Sequence, residues 1–157
     1  MKNFERIMRV LAVCWMAAIF MFSAQPADES QKLSDGVSYR LVSVIDNVAH
    51  KNWNDEKKEE LAQIIDYPVR KAAHMSEYAL LTLLTFGAVC TKKGKRRYII
   101  PISITFLYAC TDEFHQLFVN GRAGRFTDVL IDTSGGVIML LLVFIISLAV
   151  LRHKKYN

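Results

Sequence analysis

Cysteine is scarce in this chain and follows no pattern. Cys14, Cys90 and Cys110 are the only three in 157 residues, and each lies inside an apolar block. An odd number so placed excludes a disulfide framework and a cysteine metal cluster. They read as small buried hydrophobes. The common catalytic signatures are missing too: no G-x-S-x-G, H-E-x-x-H, Walker loop or dinucleotide fingerprint occurs. Ser76 and Ser134 have no triad order around them. Repeats, low-complexity tracts and inter-domain linkers are lacking, so residues 1–157 read as one domain. The chain also lacks the interleaving of polar and apolar residues, at a period of 2 or 3.6, that a soluble domain needs.

What is there instead is a set of long apolar blocks with charges between them. The first spans about residues 8–24, behind Lys2, Arg6 and Arg9. A cut after Ala24 would put Phe22 at −3, a poor signal-peptide site, so this block is expected to be an uncleaved helix. The others cover about 72–90, 98–118 and 126–151, each long enough to cross a bilayer. Pro101 falls in the first turn of the third, where its missing N–H does little harm. The expectation is an all-α integral membrane four-helix bundle.

Residues 25–71 separate the first two blocks. Leu33, Val37, Leu41, Val44 and Val48 recur every three or four positions and predict an amphipathic helix lying along the membrane surface. A second short helix is expected over 54–65, with Asn54 as N-cap and Asp55 and Glu56 in its first turn. Trp53 suits an interfacial anchor or a packing role.

Charge sets the orientation. With four crossings, the N-terminus, the second loop and the C-terminus share a side. That side carries Lys2, Arg6, Arg9, Lys92, Lys93, Lys95, Arg96, Arg97, Arg152, Lys154 and Lys155 against one acid, Glu5. It is therefore expected to be cytoplasmic, with residues 25–71 outside. The net charge of +5 then reads as an orientation signal and a contact with anionic lipid, not a nucleic-acid footprint.

The same topology gathers the unusual residues at the outer leaflet. His74 and Glu77 open the second block, Asp112, Glu113, His115 and Gln116 close the third, and Asp128 and Asp132 open the fourth. Ionisable residues in membrane segments are costly and mark a functional site by default. Arg70, His74, Glu77 and Leu81 share a helix face. Asp128, Asp132, Gly135 and Gly136 share another, where glycine permits close helix approach. The loop 119–125 adds Arg122 and Arg125. Three readings fit. One is a structural network of mutually neutralising charges. The second is an anion site in which Arg70, Lys71, Arg122 and Arg125 hold a phosphate head group. The third is catalysis, with a His as general base, or with His74, Asp112, Glu113 and His115 around a divalent metal. His74-x-x-Glu77 also occurs in carboxylate-bridged metal sites. A transporter is disfavoured, because the cytoplasmic halves carry no polar path.

These residues resemble the VanZ-like family of bacterial membrane proteins along nearly the whole chain. Phe22-Ser23-Ala24-Gln25-Pro26 is similar to the family's F-S-x-Q-x. Arg70-Lys71-Ala72-Ala73-His74 with Glu77-Tyr78 resembles R-K-x-x-H-x-x-E-Y. Asp112-Glu113-Phe114-His115-Gln116, Phe118 to Arg122, Asp128, Asp132 and Gly135 resemble D-E-x-x-Q-x-F-x-P-G-R followed by D and D or N. Asn120 stands where proline is usual. Asparagine also suits a turn. The resemblance implies a bacterial membrane protein associated with resistance to the glycopeptide teicoplanin. It implies no settled reaction, and the cofactor is left unknown.

On that basis His74, Glu77, Asp112, Glu113 and His115 form the expected acid/base or metal cluster. Arg70, Lys71 and Arg122 are expected to hold phosphate, and Gln116, Asp128 and Asp132 to orient it. The expected partners are membrane lipids, a lipid-linked cell-wall precursor or another envelope protein. The alternatives are a membrane hydrolase or transferase using the same cup, and a non-catalytic bundle that recruits a second protein.

Overall fold

In a computed structural model the chain is all-helical, with five helices: α1 (Lys2–Ser23), α2 (Ala27–Ala49), α3 (Asp55–Ala88), α4 (Arg96–Gln116) and α5 (Phe126–Tyr156). The structure describes residues 1–156, with side chains through His153. The side chains of Lys154 and Lys155, counted above among the C-terminal cations, lie outside the described residues.

α3 is the hub and touches every other helix. Asn54 caps it, accepting the Lys57 N–H at 3.0 Å. The short helix expected over 54–65 and the apolar block from 72 are one continuous element, which is a correction to the sequence reading. Pro68 suggests a break because its ring opposes the preceding turn, yet the helix runs through it. Polar ties to α2 on both sides of Pro68 hold this stretch. Asp66 accepts Gln31 at 2.9 Å and Ser38 at 3.4 Å, and is also bonded by Ser34. Arg70 donates to Gln31 at 3.0 Å.

α2 is amphipathic as its spacing predicts, but it is packed with the polar face inward. Ser38 is fully buried and Asp46 nearly so, while Leu33 is 62% and Val48 76% exposed. Asp46 accepts the Trp53 N–H at 3.0 Å and pairs with Lys58 at 3.1 Å. The remaining helices repeat the inversion. The apolar core is small: Ala12, Ile19, Tyr78, Leu81, Ala109 and Val129. Thr82, Thr85, Thr105, Asp112, Glu113, Gln116 and Asp132 are buried among them, while Leu141, Phe144, Ile145 and Ile146 of α5 face out. Exposed apolar surface on this scale marks contact with a membrane or another protein.

Two helices, Lys2–Ser23 and Phe126–His153, are long and apolar enough to cross a membrane. Small residues bring the helices close. A Cβ on Gly135 would collide with the Met75 carbonyl, and one on Gly136 with the Thr82 hydroxyl. Thr82 and Thr105 share a 2.7 Å hydrogen bond between α3 and α4.

The two ends of the molecule are each stitched. At one end Glu5 accepts the Thr91 N–H at 2.8 Å and the Thr91 hydroxyl at 2.5 Å, so the start of α1 meets the turn after α3. At the other end the Ala27 N–H donates to the Asn120 carbonyl at 3.2 Å, and Arg122 Nε to the Gln25 carbonyl at 3.2 Å. Gly121 makes this corner possible. Its φ is +73°, and a Cβ there would sit 2.9 Å from that of Ala27.

Candidate functional site

The second stitched end holds a polar cup. Its floor and walls come from the middle of α3, the end of α4, the loop 119–125 and the start of α5. It encloses about 220 Å³ and is lined by Arg70, Lys71, His74, Glu113, Gln116, Arg122, Arg125, Asp128 and Asp132, with Ser30 and Tyr67 at the rim. Helical spacing explains the α3 contribution, since Tyr67, Arg70, Lys71 and His74 fall three or four apart on one side.

The cations are not equivalent. Lys71 is paired with Asp128 at 2.7 Å, and its ammonium stands 5.5 Å from the Tyr67 ring centroid. Arg70 leans back on Asp66 at 3.7 Å. Arg122 and Arg125 form no ion pair among the described residues; Arg122 is tied only through Nε to the Gln25 carbonyl. Burial, and then the neighbouring Arg70, oppose the charge on Arg122 and push its pKa down. A guanidinium in that position gains from an anion brought to it.

The acids divide as well. Glu113 accepts the Arg125 main-chain N–H at 2.8 Å, fixing the loop that carries both free arginines. Asp112 turns into the interior. It accepts the Tyr78 hydroxyl at 3.1 Å and Gln116 at 3.3 Å, and its second oxygen is buried with no partner. Asp132 is buried on α5 within electrostatic reach of Glu113, Asp112 and Lys71. His74 lies 3.7 Å from Glu77 through Nδ1, and the cup charges Arg122, Lys71 and Asp128 act on it.

His115 does not join them. Its ring packs on Phe20 of α1, centroids 4.2 Å apart, and its Nδ1 is buried without a partner. Of the five residues expected to form one acid/base cluster, His74 and Glu77 lie together, while Asp112 turns to Tyr78, Glu113 to the Arg125 N–H and His115 to Phe20. Among the described residues, no group of three or more His, Cys, Asp or Glu is arranged to hold a metal ion.

Beside the cup lies a second cavity, about 250 Å³, that shares Ser30, Arg70, His74 and Arg122 with it. Its other walls are largely apolar: Phe22, Leu33, Val37, Val69 and Ala73, with Glu77 and Gln25 at the polar edge. Sequence reasoning missed Ser30, Tyr67 and this groove. Tyr67 carried a signal, four residues before Lys71 on the same face. The groove had none, since its walls come from three helices.

The corner that closes the cup joins Gln25 to Arg122, and so brings together two segments far apart in sequence. A family model described as VanZ/LLP1 matches residues 8–147, which include both segments. The chain belongs to the VanZ/LLP1 family. No curated protein and no solved structure matches it. Two apolar helices together with VanZ/LLP1 membership point to a membrane location.

Proposed function

We propose that this VanZ/LLP1 chain is a four-crossing envelope protein that binds an anionic lipid or lipid-linked precursor in an outer-leaflet cup, and so modulates tolerance to glycopeptides, chiefly teicoplanin. The single observation that carries the reading is the cup itself. Four cations from α3 and the loop 119–125 line one cavity, and two of them, Arg122 and Arg125, have no ion pair among the described residues. Arginine is the residue suited to phosphate oxygens.

The topology is part of the proposal. α1, the apolar part of α3, α4 and α5 cross the bilayer as a bundle, with the N- and C-termini cytoplasmic. The contact of Glu5 with Thr91 supports this arrangement, because it brings the basic N-terminus to the basic turn 92–97. In this reading α2 lies along the outer surface with Leu33, Val37, Leu41, Val44 and Val48 in the lipid. Its outward apolar face and inward serines favour that position over a solvent-exposed one. The hydrolase or transferase alternative rests on His74, the cup imidazole beside Glu77. Asp112 and Glu113 serve structure in either case.

The test is teicoplanin and vancomycin susceptibility in a sensitive Gram-positive host expressing wild type, Arg122→Ala or His74→Gln, with membrane levels matched. Protection against teicoplanin that Arg122→Ala loses and His74→Gln retains is the expected outcome. Loss with His74→Gln at normal expression would favour the enzyme. Equal protection by all three would remove the cup from the function.

A further inference from the structure

Resting on the reading of the cup as an anion site, we infer that its ligand is a small-headed lipid phosphate that straddles both cavities, with the phosphate in the cup and the first part of its chain in the groove between α2 and α3. Three observations carry this. The two cavities are adjacent, since Arg70, His74 and Arg122 border both. Polar and apolar linings are divided between them, one surrounded by charge and the other walled by Phe22, Leu33, Val37, Val69 and Ala73. And the groove opens along the outward face of α2, where Leu33 and Val37 are more than half exposed.

Size narrows the head. The cup holds about 220 Å³, below the roughly 300–1,000 Å³ of ordinary small-molecule sites. A phosphate with little attached fits within it, whereas a sugar or peptide head would extend beyond its half-open mouth. Charge narrows it in the same direction. Arg122 borders both cavities and has no ion pair among the described residues, and a phosphate bonded directly to a chain would bring its negative oxygens to that boundary. A neutral head would leave that guanidinium unanswered. A free inorganic phosphate would leave the apolar groove with no occupant.

The test compares methyl phosphate with hexyl phosphate, both water-soluble, titrated into the full chain in lipid nanodiscs. Wild type is set beside Ala73→Trp and Val37→Trp, which fill the groove from exposed or half-exposed positions on two different helices, and beside Arg122→Gln. In wild type the hexyl ester is expected to bind at least about tenfold tighter, the gain from roughly two of its five extra methylenes leaving water at about fourfold each. Both tryptophan variants are expected to bring that ratio close to one, by removing the advantage of the hexyl ester. Arg122→Gln is expected to weaken both esters alike. A wild-type ratio near one, or a ratio that survives both tryptophans, overturns the groove as the chain site while the anion site stands. Absence of binding by either ester overturns the anion site, and this inference falls with it.

Discussion

The carboxylate of Glu113, at the end of α4, accepts the main-chain N–H of Arg125 at 2.8 Å. One side chain thereby fixes the strand of loop from which Arg122 and Arg125 reach the cup. The bond requires an acceptor and not a charge. Glu113→Gln should keep the loop in place, and Glu113→Ala should lose about 0.5–1.5 kcal/mol, the net range for an ordinary hydrogen bond. Thermal unfolding in detergent checks the energies, and exchange of the Arg125 amide checks the loop. An Arg125 amide as protected in Glu113→Ala as in wild type would show that other contacts hold it.

Gly135 lies against the Met75 carbonyl, with no room for a Cβ. Gly135→Ala should force α3 and α5 apart at the level of the cup, at about 1–3 kcal/mol, the usual cost of overpacking. The cup lining comes from both helices, so ligand binding should fall more than stability does. Gly36→Ala, where a Cβ meets nothing, is the control. Equal melting temperatures for the two variants would contradict the close approach.

The Lys71–Asp128 pair spans α3 and α5 at 2.7 Å, and each side chain is only 20% exposed. Removing one partner leaves a half-buried charge alone. Lys71→Met and Asp128→Asn should each destabilise, and the double variant should recover part of the loss, with a coupling of about 0.5–3 kcal/mol. A double-mutant cycle in thermal stability measures it. Strict additivity would mean that the pair is solvated and holds nothing.

α2 is tied to α3 by carboxylates whose pKa values are lowered. Burial opposes the charge on Asp66, but bonds from Ser34, Gln31 and Ser38 and the nearby Arg70 outweigh it. At Asp46 the Trp53 N–H, then Lys58, acts against the opposing burial. A lowered folded-state pKa contributes stability above the unfolded value, and that stability is lost as pH falls through the folded one. α2 should therefore stay docked at neutral pH and loosen only below about 3.9, the ordinary aspartate value. Exchange of the α2 amides against pH follows this. Release of α2 between pH 5 and 7 would place the tie elsewhere.

Much of this architecture is legible in the sequence. The apolar spacing from Leu33 to Val48 predicts α2, and Asn54 caps α3 as its position suggests. The convergence of His74, Gln116, Arg122 and Asp128 follows from counting helices. The contacts that decide which of these residues are free do not. Nothing local tells that Asp112 turns to Tyr78, that His115 turns to Phe20, or that Glu5 reaches Thr91, because each bond joins segments far apart in the chain. Pro68 misleads, since its local cost is visible and the ties from Gln31, Ser34 and Ser38 that offset it are not. Those three residues do form a polar stripe on the side of α2 opposite its leucines and valines, and that stripe was the available sign that α2 faces inward with its serines.

The hydrogen bond between Thr82 of α3 and Thr105 of α4 has a consequence for how the protein is made. Among the described residues, the first and last helices are the ones long and apolar enough to cross a membrane by length and composition. α3 and α4 carry the carboxylates Glu77, Asp112 and Glu113, which hydrocarbon does not satisfy. On the four-crossing reading, pairing α3 with α4 early, Thr82 on Thr105 and Tyr78 on Asp112, lowers the cost of bringing these helices into the bilayer, so that insertion and tertiary folding of this pair are coupled.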